Sequence, residues 1–156
     1  FDLGPLEDDG RALAEIGRIC LHPDYRGGLA AGLLLGAAVD RLRSRGAGMV
    51  VGTGSFPGAD PARHMPAMRA LLDAGRAPAA LRPKARGPHG VTIEGTGRRA
   101  DMRFVPALLK AYLRAGAWVG EEAWIDRDMD TVDVCLMLDL TRLRLPAQRS
   151  MAEGAR

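Results

Sequence analysis

The feature that most limits how this chain can fold is the stretch LAEIGRICLHPDYRGGLAAGLLLGAAVDRL, residues 13–42. A run with strand-like alternation, predicted over 13–21, leads through the turn His22-Pro23-Asp24 into the pair Gly27-Gly28. A helix with a long apolar face follows at once, predicted over 29–45 with Gly46 as its stop. Strand, glycine turn and helix N-terminus in immediate succession aim unpaired N–H groups and the positive end of a helix dipole at one spot, which makes a natural anion site. Alternation places Leu13, Glu15, Gly17, Ile19 and Leu21 on one strand face and Ala14, Ile16, Arg18 and Cys20 on the other. A carboxylate and a guanidinium in so apolar a run need a partner or a task. Opposite faces make a direct Glu15–Arg18 ion pair awkward, so the two readings, structural pair and functional residues, both stand at this point.

The remaining elements follow from periodicity and punctuation. Residues 49–53 read as a second strand, parallel to the first through a right-handed crossover, with Thr53-Gly54-Ser55 at its end beside the glycine turn. Asp60-Pro61 is a helix start, and Met65, Met68, Leu71 and Leu72 form an apolar stripe up to Gly75. Residues 76–103 read as a long irregular loop rich in Pro, Gly and Arg, a length that points to function or disorder. Pro106 opens a further helix with Leu108, Leu109, Tyr112 and Leu113 on one face, closed by Gly116. Residues 118–125 read as strand with a turn at 120–122, and 132–140 alternate as a last strand. The expectation is one α/β (α+β) domain over residues 1–145 and a polar tail from 146 to 156.

Composition narrows the function classes. With an aromatic share of 4%, platforms for stacking bases are scarce, so nucleic acid is not an expected partner. The net charge is +3, and its cations are mostly Arg, which grips phosphates and carboxylates in a bidentate fork. Arg82, Lys84, Arg86, Arg98, Arg99 and Arg103 face only Glu94 and Asp101 in the same stretch. Cys20 and Cys135 sit far apart in strand-like runs, which is the pattern of buried reduced thiols in a cytoplasmic protein. No second Cys/His pair lies near Cys20 and His22 at ligand spacing, so no metal is expected. No run has the apolar length needed to cross a bilayer.

Three separated segments carry a more specific signal. EIGRICLHPDYRGG (15–28), RPKARGPHG (82–90) and PALLKAYLRAGAWVG (106–120) resemble, in this order, the ornithine-lipid N-acyltransferase branch of the GNAT superfamily. That branch is often labelled hemolysin-like and is related to the acyl-homoserine-lactone synthases. The resemblance implies a GNAT-like acyl-CoA N-acyltransferase fold, a mixed twisted central sheet flanked by helices and splayed between the first two strands. It implies transfer of a fatty acyl group, usually 3-hydroxyacyl from acyl carrier protein or coenzyme A, to the α-amine of an amino acid such as ornithine. Other amine or lysolipid acceptors, and a non-catalytic acyl-carrier or lipid-binding role, remain as alternatives. Phe1 matches a position well inside the longer chains of that branch, so its first strands and helices are expected to be missing here.

The resemblance also assigns roles. Glu15 stands where the related synthases keep an acidic residue, and implies a base or an anchor for the amine; Arg18 follows in the same motif. The motif here is Glu-Ile-Gly-Arg where the synthases have Glu-Leu-Ser-Arg, so that serine's part is lost. Backbone N–H groups at Cys20, Leu21 and His22 are candidates for the oxyanion donor. Tyr25, Arg26, Gly27, Gly28, Leu29 and Ala30 would cap the phosphate of a phosphopantetheine arm, with Thr53 and Ser55 beside it. The superfamily's Arg/Gln-x-x-Gly-x-Gly/Ala pattern is not kept, which suits an arm with one phosphate. Arg82, Lys84 and Arg86 would steer an acidic acyl carrier protein, and the same charges would attract membrane headgroups, giving a possible peripheral membrane contact. Tyr112 is either a proton donor to the leaving thiolate or a core residue.

Overall fold

In the computed structural model, residues 1–17, 19–25 and 30–143 are described. The elements are α1 (Gly4–Glu7), β1 (Leu13–Glu15), α2 (Ala30–Ser44), β2 (Met49–Pro57), α3 (Pro61–Gly75), β3 (Gly90–Thr92), α4 (Ala107–Ala115), β4 (Trp118–Asp126) and β5 (Thr131–Asp139). They build a five-stranded mixed sheet in the order β1-β2-β5-β4-β3. β1 and β2 are parallel, while β2–β5, β5–β4 and β4–β3 are antiparallel. The architecture is consistent with a GNAT-like α+β fold.

The two sheet faces are covered unequally. Val50, Phe56, Val132, Val134, Leu136 and Leu138 point to one face, where α2, α3 and α4 pack through Val39, Met68, Leu71, Leu72 and Leu109. Met49, Val51, Cys135 and Met137 point to the other, covered by the short α1 through Leu6 and by Ala77 and Leu81. The period of two along β5 therefore divides its side chains as the sequence predicts. The start of α3 also follows prediction: Asp60 Oδ1 accepts the Ala62 N–H at 3.0 Å, and Pro61 occupies the first turn, where its missing N–H costs nothing. Gly116 closes α4 at φ 97°, a left-handed cap.

Six expectations are corrected. The first strand stops at Glu15 instead of running to Leu21, because it is an edge strand whose only neighbour, β2, keeps it paired no further. Cys20 consequently falls in a loop and is exposed, while Cys135 is buried and desolvation pushes its thiol up to about 12. β2 runs to Pro57, since β5 pairs with it along its whole length, so Thr53 and Ser55 lie within a strand. The stretch 76–103 contains β3 and two 3-10 turns, Ala79–Leu81 and Arg99–Phe104. At 120–122 the strand continues with a register irregularity between Val119 and Ala123. There Glu121 pairs with Arg76 (2.6 Å) and Arg82 (2.9 Å), and Glu122 accepts the Ala85 N–H at 2.6 Å, so the acidic pair at the irregularity ties down the preceding loop. Leu34, placed by periodicity on the buried side of α2, is 41% exposed.

One buried charge carries a stability prediction. Asp139 is 6% exposed at the end of β5, and accepts the Thr141 hydroxyl (2.6 Å), the Thr141 N–H (2.8 Å) and Arg11 Nη1 (2.8 Å). Burial disfavours its charge, but the Thr141 and Arg11 bonds outweigh it and hold the carboxyl below its usual range. The lowered value means that the carboxylate stabilises the fold fully at neutral pH, and that this contribution disappears as pH falls below about 4 through the folded value. Asp139→Asn is expected to lose roughly 2 kcal/mol at pH 7. Urea melts at pH 7 and pH 3 check this: the gap between variant and parent shrinks in acid, and an equal gap at both would contradict it.

Candidate functional site

The site is organised by the point where β1 and β2 part. The Ile16 N–H still donates to the Val51 carbonyl at 2.9 Å. The next rung of a parallel ladder would join the Ile16 carbonyl to the Thr53 N–H, and that bond is absent. In a parallel pair the residue whose carbonyl meets the neighbour also turns its N–H that way, so Val51, Thr53 and Ser55 share one edge of β2. Beyond Val51 that edge, with the backbone groups of Thr53 and Ser55, opens into a gap. Gly52 makes the parting geometry possible: a β-carbon there would lie 2.7 Å from the Ile16 oxygen. The alternation Gly52-Thr53-Gly54 in an apolar strand was the sequence signal for this close approach.

Three cavities meet at the gap. On the helix side a small cavity of about 40 Å³ is lined mostly by apolar residues, among them Ile16, Leu35, Val50, Leu136 and Leu138, with Thr53 and Tyr112. On the opposite side a cavity of about 240 Å³ is lined by Phe1, Leu3, Glu15, Thr53 and Cys135. At the open end, a groove of about 440 Å³ is lined by Ile19, Thr53, Ser55, Leu108, Tyr112 and Met129 among others. Thr53 lines all three, Ile16 the first and third, and Gly52 the first and second, so a guest entering at the groove meets a small apolar cavity on one side and a carboxylate on the other.

Glu15 is exposed. Its carboxylate lies over Gly17, where a β-carbon would come within 3.5 Å of Oε1, and no hydrogen bond or ion pair engages it among the described residues. Tyr112 is half-buried and burial raises its hydroxyl pKa, so it stays protonated at neutral pH. It packs against both helix-side core clusters, and it also faces two of the three cavities.

The other predicted site residues are distributed as follows. Arg18, Arg26, Gly27, Gly28 and Leu29 lie outside the described residues. Cys20 is exposed, Leu21 is half-buried, and Tyr25 is 63% exposed at the end of a 3-10 turn, Pro23–Tyr25. Ala30 is the first residue of α2. Thr53 and Ser55 are exposed on the open edge of β2. Arg82 is engaged by Glu121 and donates through Nε to the Ala77 carbonyl at 2.8 Å. Arg86 pairs with Asp2 at 3.2 Å, and the Asp2 N–H donates to the Lys84 carbonyl at 2.7 Å, which brings 84–86 beside the Glu15 cavity through Phe1 and Leu3. Met65 and Met68 pack in the core and line none of the three cavities. Ile19, Leu108 and Met129 were not anticipated as site residues, since nothing local in the sequence marks residues so far apart as neighbours.

Comparison with known proteins bears on this arrangement directly. Over 142 residues, 89% of this chain and 55% of the relative, it is 41% identical to the L-ornithine N(alpha)-acyltransferase of Rhodobacter capsulatus. The chain is a homologue of such acyltransferases. The protein of the same name from Brucella abortus is 32% identical over 84% of this chain and 48% of its own length. That of Rhizobium meliloti is 30% identical over 92% and 51%. The chain thus spans about half the length of the curated relatives it matches. No family model and no solved structure matches it.

Proposed function

We propose that this chain supplies the acyl-thioester half of an L-ornithine N(alpha)-acyltransferase-like enzyme, as the C-terminal portion of a GNAT-like domain over residues 1–145. The observation that carries the reading is the loss of pairing after Ile16 and Val51, which leaves a strand edge bare between an apolar cavity and a carboxylate. Supporting it is the likeness to relatives whose printed name specifies acyl transfer to ornithine.

In this reading a phosphopantetheine arm, from acyl carrier protein or acyl-CoA, lies along the Thr53–Ser55 edge, its amides meeting unpaired backbone groups. Its phosphate is assigned to residues 25–31, of which 26–29 lie outside the described residues, and its acyl chain is directed toward the apolar side of the gap. Glu15 takes the proton that the ornithine ammonium must lose, directly or through water. The free amine attacks the thioester carbonyl, the C–N bond forms, and a backbone N–H at 20–22 steadies the oxyanion. The C–S bond then breaks, the nitrogen loses its second proton, and the thiolate gains one, with Tyr112 as the candidate donor and the proton shed by nitrogen restoring the balance. The product is an N-acylornithine, a lyso-ornithine lipid when the acyl group is 3-hydroxyacyl. An acidic carrier would meet Lys84 and Arg86, with Arg82 holding their loop through Glu121.

The test is incubation of the protein with 3-hydroxyacyl carrier protein or the matching acyl-CoA and a panel of amines, read by mass spectrometry. Formation of N-acylornithine with release of free thiol is expected. Transfer to a different amine would replace the acceptor and keep the mechanism. Saturable binding of the donor with no transfer would overturn the enzyme reading in favour of a binding module.

A further inference from the structure

Large apolar side chains that lie open to solvent gather at one end of the sheet. β4 begins just after α4, so the far end of α4 lies where β2 finishes and where the β4–β5 turn sits. There Phe104 is 59% exposed, Leu108 58%, Met129 73% and Ile19 42%, and the groove at the gap joins Leu108, Met129 and Ile19 in one wall. The outward positions of α4 are Ala107, Leu108, Ala111 and Arg114, all exposed and with no acid among them.

Along residues 98–114 the uncancelled charge is positive, whereas the β4–β5 turn carries Asp126, Asp128 and Asp130 around Met129, and Asp133 also lines the groove. Between residues 98 and 114 the acidic side chain is Asp101, which is 3% exposed and bound by Arg98 through both oxygens at 3.0 and 3.1 Å. Arg103 lies 4.5 Å over the Phe104 ring, Arg99 is exposed, and Arg99, Arg103, Lys110 and Arg114 have no ion-pair partner among the described residues. Phe and Leu set among uncancelled cations, in a segment whose one acid is buried and bound, is the composition of an element that lies in a membrane interface: rings and aliphatics enter the acyl boundary while cations meet lipid phosphates. Among the described residues no helix is long and apolar enough to cross a membrane, so the contact is shallow.

We propose that the surface of residues 99–114 docks on an anionic bilayer, Phe104 and Leu108 inserting and Arg99, Arg103 and Lys110 contacting headgroups. It rests on the acyl-transfer reading for its purpose alone: the groove opens at this face, so a single-chain amphiphilic product leaves directly into lipid. Docking itself is measured without any transfer reaction.

The experiment is co-sedimentation of the protein with phosphatidylcholine vesicles, with and without about 30% phosphatidylglycerol. Binding to the anionic vesicles is expected to be at least tenfold above the neutral ones and to fall with salt. Phe104→Ser/Leu108→Ser and, separately, Arg99→Glu/Arg103→Glu are each expected to reduce it roughly tenfold. All four side chains are exposed, and an unchanged circular dichroism melt verifies that the fold is kept. Arg45→Glu, at the opposite end of α2, is the control and binds as the parent does. Absence of vesicle binding by the parent, or binding by either double variant equal to the parent's, overturns the proposal. So does a parent dimer that the Phe104→Ser/Leu108→Ser variant converts to monomer, which would assign the patch to a second copy. Vesicle binding without acyl transfer would sink the proposed function and leave the docking surface standing.

Discussion

Glu15→Gln is expected to lower the rate of acyl transfer to ornithine by about 100-fold or more while leaving donor binding within about twofold. An amino acid's α-amine is an ammonium at neutral pH and has no lone pair for attack until a base removes a proton. Gln keeps the shape and one hydrogen-bonding oxygen but accepts no proton. Glu15 is exposed and no hydrogen bond or ion pair engages it among the described residues, so the substitution is expected to leave stability intact, and the melting temperature serves as the control. A base role has a further signature: raising the pH deprotonates the amine without help, so the variant's deficit narrows in alkali. A variant that turns over at the parent's rate at pH 7 would remove Glu15 from the chemistry. A constant deficit at every pH would make it a binding residue for the amine.

The largest stability effect is expected at Gly97. A β-carbon there would sit 2.2 Å from the Ala70 nitrogen, 2.5 Å from the Ala70 α-carbon and 2.5 Å from the Arg69 carbonyl carbon. These are backbone atoms in the middle of α3, and no side-chain rotation relieves the overlap. The same loop is bound to that helix: the Gly97 N–H donates to Asp73 Oδ2 at 2.8 Å, and the Arg69 side chain donates to the Glu94 carbonyl. Gly97→Ala therefore has to lift either the loop or the helix, at a cost of roughly 3 kcal/mol, equivalent to a melting-temperature drop of about 10 °C. Gly32→Ala is the contrast, because nothing lies within 4 Å of its added carbon. In mid-helix it is expected to be neutral or to stabilise by up to about 1 kcal/mol. Equal melting temperatures for Gly97→Ala and the parent would contradict the packing described. Loosening this loop also frees the turn Arg99–Phe104 that leads into α4, so Tyr112 would lose its fixed place at the gap.

Much of the architecture was legible because it is encoded locally. Asp60-Pro61 announces α3 by cap chemistry, Gly116 announces the end of α4 by its left-handed backbone, and the alternation at 132–140 marks β5 and its two faces. Other features were hidden for a physical reason. Residues 13–21 alternate like one strand, yet pairing ends at Ile16, because strand length depends on a neighbour that the local pattern does not contain. Cys20 and Leu34 look buried by period and are exposed for the same reason. Short β3 shows no periodicity of its own; it exists by pairing with β4. The apolar rim of Ile19, Leu108 and Met129 draws one residue from each of three distant segments.

Within the candidate site the division is similar. Glu15 stands out in the sequence because an isolated carboxylate in an apolar run demands an explanation. Gly52 is not singled out by the sequence reading, although a glycine inside a strand marks close approach. Tyr112 was read as core or proton donor, and it packs in the core while facing two cavities. The basic loop looked uniform, but tertiary contacts divide it: Glu121 engages Arg82, Asp2 engages Arg86, Asp101 engages Arg98, and Lys84 and Arg99 keep their charge for solvent or a partner.

The amino-acid order alone determined the succession of strands and helices, their caps, and the chemical character of Glu15 and the arginines, since these depend on neighbours a few residues away. Only the tertiary structure decided where β1 leaves β2, which cations are neutralised, and which apolar side chains share a surface. Each of those depends on groups brought together from distant parts of the chain, and no local propensity carries that information.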